Sequence, residues 1–164
     1  MEWRDHVRDA DRDAVLALVR STGFFSREEE AIAMELVDEA LTLGSRASGY
    51  EFVFADSADG DLLAYACFGP IPGRPGAFDL YWIAVAPGRQ REGLGRQLIA
   101  EAERRAVTRG ATHMFVDTAG RDQYRPTRAF YERMGYARHE AVTDFYSPGD
   151  DKVVYRKRLS QPRR

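Results

Sequence analysis

One cysteine, Cys67, stands among 164 residues, so no intramolecular disulfide can form and an oxidising compartment has no support. It lies in Leu62-Leu63-Ala64-Tyr65-Ala66-Cys67-Phe68, which reads as a buried strand, a usual place for a free thiol. A surplus of one charge is also missing. With 24 Lys and Arg against 26 Asp and Glu, the formal net charge is -2, without the basic excess that marks nucleic-acid binders. Arg156-Lys157-Arg158 with Arg163-Arg164, the only basic run, reads as a solvated strand end and tail. No apolar run approaches the roughly 18 residues of a membrane span. Met1 is followed at once by Glu2, Arg4 and Asp5, and a cytoplasmic location is expected, with no membrane or nucleic-acid partner. His113 and His139 have no partners at ligand spacing, so no metal is expected. Nothing around Ser21, Ser45 or Ser147 resembles a nucleophile elbow.

With 44% hydrophobic residues and no repeat or low-complexity segment, the chain is expected to form one domain over residues 1–164. After an extended start at Trp3 to His6, Asp9 or Asp11 is placed to cap a helix with Val15, Leu18 and Val19 on one face, ending at Gly23. Ser26 and Glu29 have capping-box spacing; Ile32, Leu36, Ala40 and Leu43 then recur at helical intervals up to Gly44. Tyr50 to Ala55 and Leu62 to Phe68 read as a hairpin turned at Asp59-Gly60, and Gly69 to Gly76 as a loop. A strand from Ala77 to Val85 precedes a helix over about 92–109, stopped by Gly110. Met114-Phe115-Val116 is the next strand. A helix begins around Pro126 and stops at Gly135, and strands over Tyr136 to Phe145 and Lys152 to Leu159 close the chain. The middle is a β-α-β unit, whose ligand edge lies at the carboxyl ends of its strands.

At that edge, Ile83-Ala84-Val85-Ala86-Pro87-Gly88-Arg89-Gln90-Arg91-Glu92-Gly93-Leu94-Gly95-Arg96 is a strand, a glycine-containing loop and a helix start. Unpartnered N–H groups in a first helical turn favour an anion, and glycines let a diphosphate approach the backbone. Gly88 and Gly93 have Walker-loop spacing, but Leu94-Gly95 stands where Lys and Ser or Thr are needed. A dinucleotide fingerprint fails as well, because Gly93-Leu94-Gly95 is not followed by the third glycine.

Gln90, Gly93 and Gly95 supply Q-x-x-G-x-G. Later, Phe130-Tyr131-Glu132-Arg133-Met134-Gly135-Tyr136 supplies F-Y-x-x-x-G-F/Y. On these two blocks the chain resembles the GNAT superfamily of acetyl-CoA-dependent N-acetyltransferases, from near residue 3 to near residue 159. The resemblance implies an α/β (α+β) fold with a mixed, mostly antiparallel sheet of about six to seven strands flanked by about four helices. It implies acetyl-CoA as cosubstrate, with the backbone of Arg91, Glu92, Gly93, Leu94, Gly95 and Arg96, with Gln90, around the pyrophosphate. Ile83, Ala84 and Val85 would pair with the pantetheine arm, and Val85 N–H would polarise the thioester carbonyl. Tyr131 matches the family's tyrosine near the coenzyme sulfur, a candidate acid for the departing thiolate. Tyr124 departs from the pattern, standing where many members carry Asn.

Acceptor amines are mostly protonated at neutral pH, so attack requires a proton sink. Asp79, six residues before Val85, matches a position where several members carry a basic carboxylate. By alternation it shares a face with Tyr81, Ile83 and Val85 unless a bulge intervenes. The acceptor is expected to be a small-molecule or peptide amine. Glu28-Glu29-Glu30, Glu35, Asp38 and Glu39, with Asp144, Asp150 and Asp151, are solvated surface on the plainer reading. On the family's, they border a cationic acceptor. Phe24, Phe25, Tyr81, Trp82, Phe145 and Tyr146 are expected mostly in the core, and a homodimer is left open.

Overall fold

A computed structural model describes residues 1–90 and 92–159. Seven strands are hydrogen-bonded in the order β1-β2-β3-β4-β5-β7-β6, where β1 is Glu2–Arg4, β2 Glu51–Asp56, β3 Leu62–Pro70, β4 Ala77–Val85, β5 His113–Ala119, β6 Ala137–Ser147 and β7 Asp150–Arg158. Only β4 and β5 run parallel among the registered pairs, so the sheet is mixed and mostly antiparallel. Four helices accompany it: α1 Asp11–Ser21, α2 Arg27–Ser48, α3 Leu94–Thr108 and α4 Arg125–Arg133. This is the expected fold. The residues form two compact units, Met1–Gly69 with Tyr81–Ala106, and Pro70–Leu80 with Val107–Arg164.

In the first unit, α1 and α2 bury Val15, Leu18, Val19, Ala33, Met34, Leu36, Val37 and Ala40 against Phe52, Phe54, Tyr65, Cys67 and Ala84. The stripe of α2 is rotated from the expected one: Ile32 and Leu43 are exposed, while Ala33, Met34 and Val37 are buried. Small Ala33 and Ala40 let the helix approach the strands closely, and the larger aliphatics beyond the contact arc are left in water. The helix also runs past Gly44 to Ser48, kinked where Gly44 adopts φ 82°, a left-handed value that glycine tolerates. Neither Asp9 nor Asp11 caps α1. Asp11 is instead its first residue, where its carboxylate accepts from Arg8 N–H at 2.7 Å and from the Arg4 guanidinium at 2.7 and 2.8 Å. Arg4 also donates to Asp56 at 2.9 Å, tying β1, β2 and α1 together. Burial opposes its charge, but the hydrogen bonds to Asp11 and Asp56 outweigh it and hold the guanidinium above its usual range.

The capping box is formed as expected. Ser26 Oγ accepts from Glu29 N–H at 3.1 Å, and Glu29 Oε1 accepts from Ser26 N–H at 3.0 Å. Ser26→Ala should therefore lower stability by about 1 kcal/mol, read as a lower urea midpoint at unchanged slope.

In the second unit, β5 pairs with β7 over seven residues, and the start of β4 pairs with β5 as Ala77↔His113, Phe78↔Met114 and Asp79↔Phe115. One sheet face carries Ala77, Phe115 and Val154, with Ile71 packed on them. The next residue of β7, Tyr155, points to the opposite face. There its ring lies 6.4 Å from that of Tyr131 on α4. Outside this packing, β6 is exposed along its whole length.

Candidate active site

The carboxyl end of β4 is pinned by Ala86 N–H, which donates to the Leu63 carbonyl at 2.8 Å. A tight 3-10 turn over Pro87–Arg89 follows, closed by Arg89 N–H to the Ala86 carbonyl at 2.8 Å. The chain then reaches Gly93, whose φ of 74° is left-handed and whose missing Cβ would meet no atom within 4 Å. Among the described residues, the first ladder bond of α3 is Gln97 N–H to the Gly93 carbonyl at 3.1 Å, which leaves Leu94, Gly95 and Arg96 in its opening turn. Buried Leu94, Leu98, Ile99, Ala102 and Ala106 anchor the helix from below. Gln90, Glu92, Gly93 and Arg96 are exposed. An open, glycine-containing start to a 15-residue helix has the donors and the dipole that a diphosphate requires. Glu92 pairs with Arg89 at 3.2 Å, which removes negative charge from the loop's face. Arg91 lies outside the described residues. On β4, Ala84 sits in the apolar cluster while Ile83 and Val85 are partly buried, which leaves Ala84 only its backbone for a ligand.

Tyr81 and Trp82, successive residues, both pack on the apolar cluster of the first unit, Tyr81 with Tyr50 at 5.3 Å and Trp82 with Phe25 at 4.8 Å.

Asp79 belongs to the second unit and shares the face of Phe115, its partner in register. Its carboxyl is partly buried and accepts no hydrogen bond from a described residue. Burial, then the neighbouring negative Asp117, push it up from 3.8 to about 6, against the opposing pull of Arg74 and Lys152. The group therefore changes charge just below neutrality. Tyr131 is 4% exposed on α4, with its ring 5.8 Å from Tyr136 and 5.5 Å from Phe130. Burial, then Tyr124, raise its hydroxyl above the ordinary tyrosine range. Because Tyr155 and Phe115 face opposite ways, Asp79 and Tyr131 lie on opposite faces of this unit's sheet.

The profile of the acetyltransferase (GNAT) family matches residues 13–136. The chain belongs to that family. No curated protein matches the chain. Among solved structures, a protein described as a GNAT-family acetyltransferase from Desulfovibrio desulfuricans is 47% identical over 97% of this chain and 99% of its own, with a TM-score of 0.94. An aminoglycoside 6′-N-acetyltransferase complexed with coenzyme A has a TM-score of 0.77 at 18% identity, covering 100% of this chain and 99% of its own. The ribosomal-protein-S18-alanine N-acetyltransferase of Escherichia coli has a TM-score of 0.72 at 18% identity, covering 99% and 97%. At that identity the last two share the fold alone. This GNAT chain is an acyltransferase.

Several acidic residues of this GNAT protein have structural duties. Glu30 pairs with Arg20 at 2.8 Å, Asp38 with Arg12 at 2.8 Å and Asp150 with Arg121 at 2.8 Å. Asp151 accepts the Asp144 N–H at 3.0 Å. Glu35 and Glu39 differ, because both act on the Tyr50 hydroxyl and, after burial, raise it. Phe145 and Tyr146, expected in the core, are 54% and 48% exposed on β6, an edge strand that no layer covers. No group of three or more His, Cys, Asp and Glu able to hold a metal occurs among the described residues, and no helix there is long and apolar enough to cross a membrane. Two neighbours of Asp79 escaped the sequence reading, Asp117 and Lys152. They sit 38 and 73 positions beyond it, and only strand register brings them to its face.

Proposed function

We propose that this GNAT protein acetylates a primary amine, in a small molecule or a peptide, by direct attack on acetyl-CoA in a ternary complex. The observation that carries this reading is Asp79: a partly buried carboxyl pushed to about 6 is ionised at neutral pH yet retains enough proton affinity to take a proton from an ammonium. The Gln90 to Arg96 segment would hold the pyrophosphate on the start of α3, and the Ile83 to Val85 backbone the pantetheine arm. The bound coenzyme supplies the activated acetyl group and a thiol leaving group. Asp79 removes the proton that frees the amine's lone pair, and Val85 N–H would polarise the carbonyl oxygen. Tyr131 holds a proton for the departing sulfur.

A further observation supports direct transfer. The only cysteine, Cys67, is fully buried, and burial, then Glu51, raise its thiol well above its ordinary range, so it is no thiolate nucleophile. The known relatives that act on an aminoglycoside and on a ribosomal-protein alanine lend the amine reading support. Glu35 and Glu39 beside Tyr50 give a cationic acceptor an attractive surface.

Coenzyme A release should be measured across polyamines, aminoglycosides, amino acids and peptide N-termini. Thiol release with at least one class, accompanied by a 42-dalton gain on its nitrogen, about the mass of an acetyl replacing hydrogen, is expected. Thermal stabilisation by acetyl-CoA without release from any class would replace this reading with a non-catalytic coenzyme A-binding module.

A further inference from the structure

The sheet face that carries Asp79 also carries an ion pair for which the proposed reaction has no use so far. Asp117 lies two residues beyond Phe115 on β5 and therefore shares that face with Asp79. On β7, Lys152 is opposite Ala119, again on that face, and its Nζ reaches back to 3.6 Å from Asp117 Oδ2. The Phe145 ring lies 4.7 Å from the same ammonium. Arg74, from the turn before β4, sits over the Phe115 ring at 4.8 Å. His139 of β6 packs against that ring at 5.8 Å, and Arg156 of β7 is opposite Phe115 in register. Beside Arg74, Asp117, His139, Lys152 and Arg156, this face carries His113 in register with Ala77, Glu140 opposite Val154 and Arg158 opposite His113. Three of them act on it: Asp117 in one direction, Arg74 and Lys152 in the other.

Resting on Asp79 as the base, we propose that Asp117 and Lys152 are positioning residues that set, with opposite signs, the pH range in which Asp79 takes up a proton. A purely structural duty fits this pair poorly. Its charges are 3.6 Å apart, the Asp117 side chain is 49% exposed, and such pairs add little to stability. β5 and β7 already share seven registered pairs without it. The electrostatic consequence is larger. Asp117 without Lys152 would hold the proton on Asp79 more tightly and move its uptake to higher pH. Lys152 and Arg74 without Asp117 would leave a weaker base that takes up its proton at lower pH. The pair balances these two pulls.

The test compares Asp117→Asn and Lys152→Gln by the pH dependence of kcat/KM for the best amine and by carbon-13 NMR titration of the Asp79 carboxyl. Asp117→Asn should move both the acid limb and the titration down by roughly half a pH unit, and Lys152→Gln up by about as much. Relative to its own plateau, each variant should then differ from the parent by about threefold on the acid limb, in opposite directions. Both substitutions break the same ion pair, so a structural role moves both variants alike. Shifts of the same sign, or none in either variant, overturn the proposal. The NMR titration gives its answer even if no amine is acetylated, which separates failure of this tuning from failure of the acetyltransferase reading.

Discussion

Asp79→Asn should lower kcat/KM for the best amine on the order of a thousandfold, within the range of a lost general base, and leave coenzyme A affinity unchanged. Asn keeps the size and the position on β4 but cannot take a proton. The parent should also show an acid limb near the carboxyl's value of about 6, absent in the variant. Stability provides a second, independent signature. The folded-state value lies above 3.8, so the folded protein binds the proton more tightly than the unfolded chain. That contribution is fully present below about 3.8 and is lost as pH rises through about 6. The variant has no such loss, so its melting temperature relative to the parent should rise between pH 4 and pH 7, roughly the window those two values define. Thermal melts across that range check the sign. Parent-like turnover with a pH-independent difference in melting would remove Asp79 from the mechanism.

What the letters revealed and what they hid divides along the range of the interactions involved. Ser26 with Glu29 and Asp59-Gly60 are local devices, in which a few neighbouring residues satisfy one another's backbone groups. Both stand where the sequence put them, with Ser57 N–H bonded to the Asp61 carbonyl at 2.8 Å across the hairpin turn. Helical periodicity was less decisive in α2. It identified the helix but only part of the arc that meets the strands: of Ile32, Leu36, Ala40 and Leu43, the middle two are buried, while Ile32 and Leu43 are exposed and Ala33, Met34 and Val37 complete the contact. Asp11 misled for a different reason: as a capping letter it fitted α1, yet Arg4, seven residues earlier on β1, claims its carboxylate. Asp117 and Lys152 mark the far limit of sequence reading. Their relation to Asp79 arises from a parallel crossover and then an antiparallel pairing, and no local pattern encodes it. The exposed aromatics of β6 belong here too, since hydrophobic letters on an edge strand look the same as those on a central one.

Tyr131→Phe is expected to reduce turnover about a hundredfold, the low end for a general acid, with coenzyme A affinity little changed. The substitution removes one oxygen and keeps the ring among Phe130, Tyr136 and Tyr155, so the packing of α4 survives. Burial and Tyr124 hold the hydroxyl protonated at any working pH, which suits a donor and excludes a base. A merely buried, satisfied tyrosine would respond differently: its loss would lower the melting temperature and spare turnover. The leaving group discriminates further. A thiolate of ordinary thiol basicity benefits from a proton as the carbon–sulfur bond breaks, whereas an acetyl thioester of a far more acidic thiol departs readily without one. The Phe variant should thus recover most of its deficit with such an activated thioester, provided the donor still occupies the site. A deficit of equal size with both donors would place the role of Tyr131 in binding or alignment, and unchanged turnover with acetyl-CoA would remove it from the chemistry.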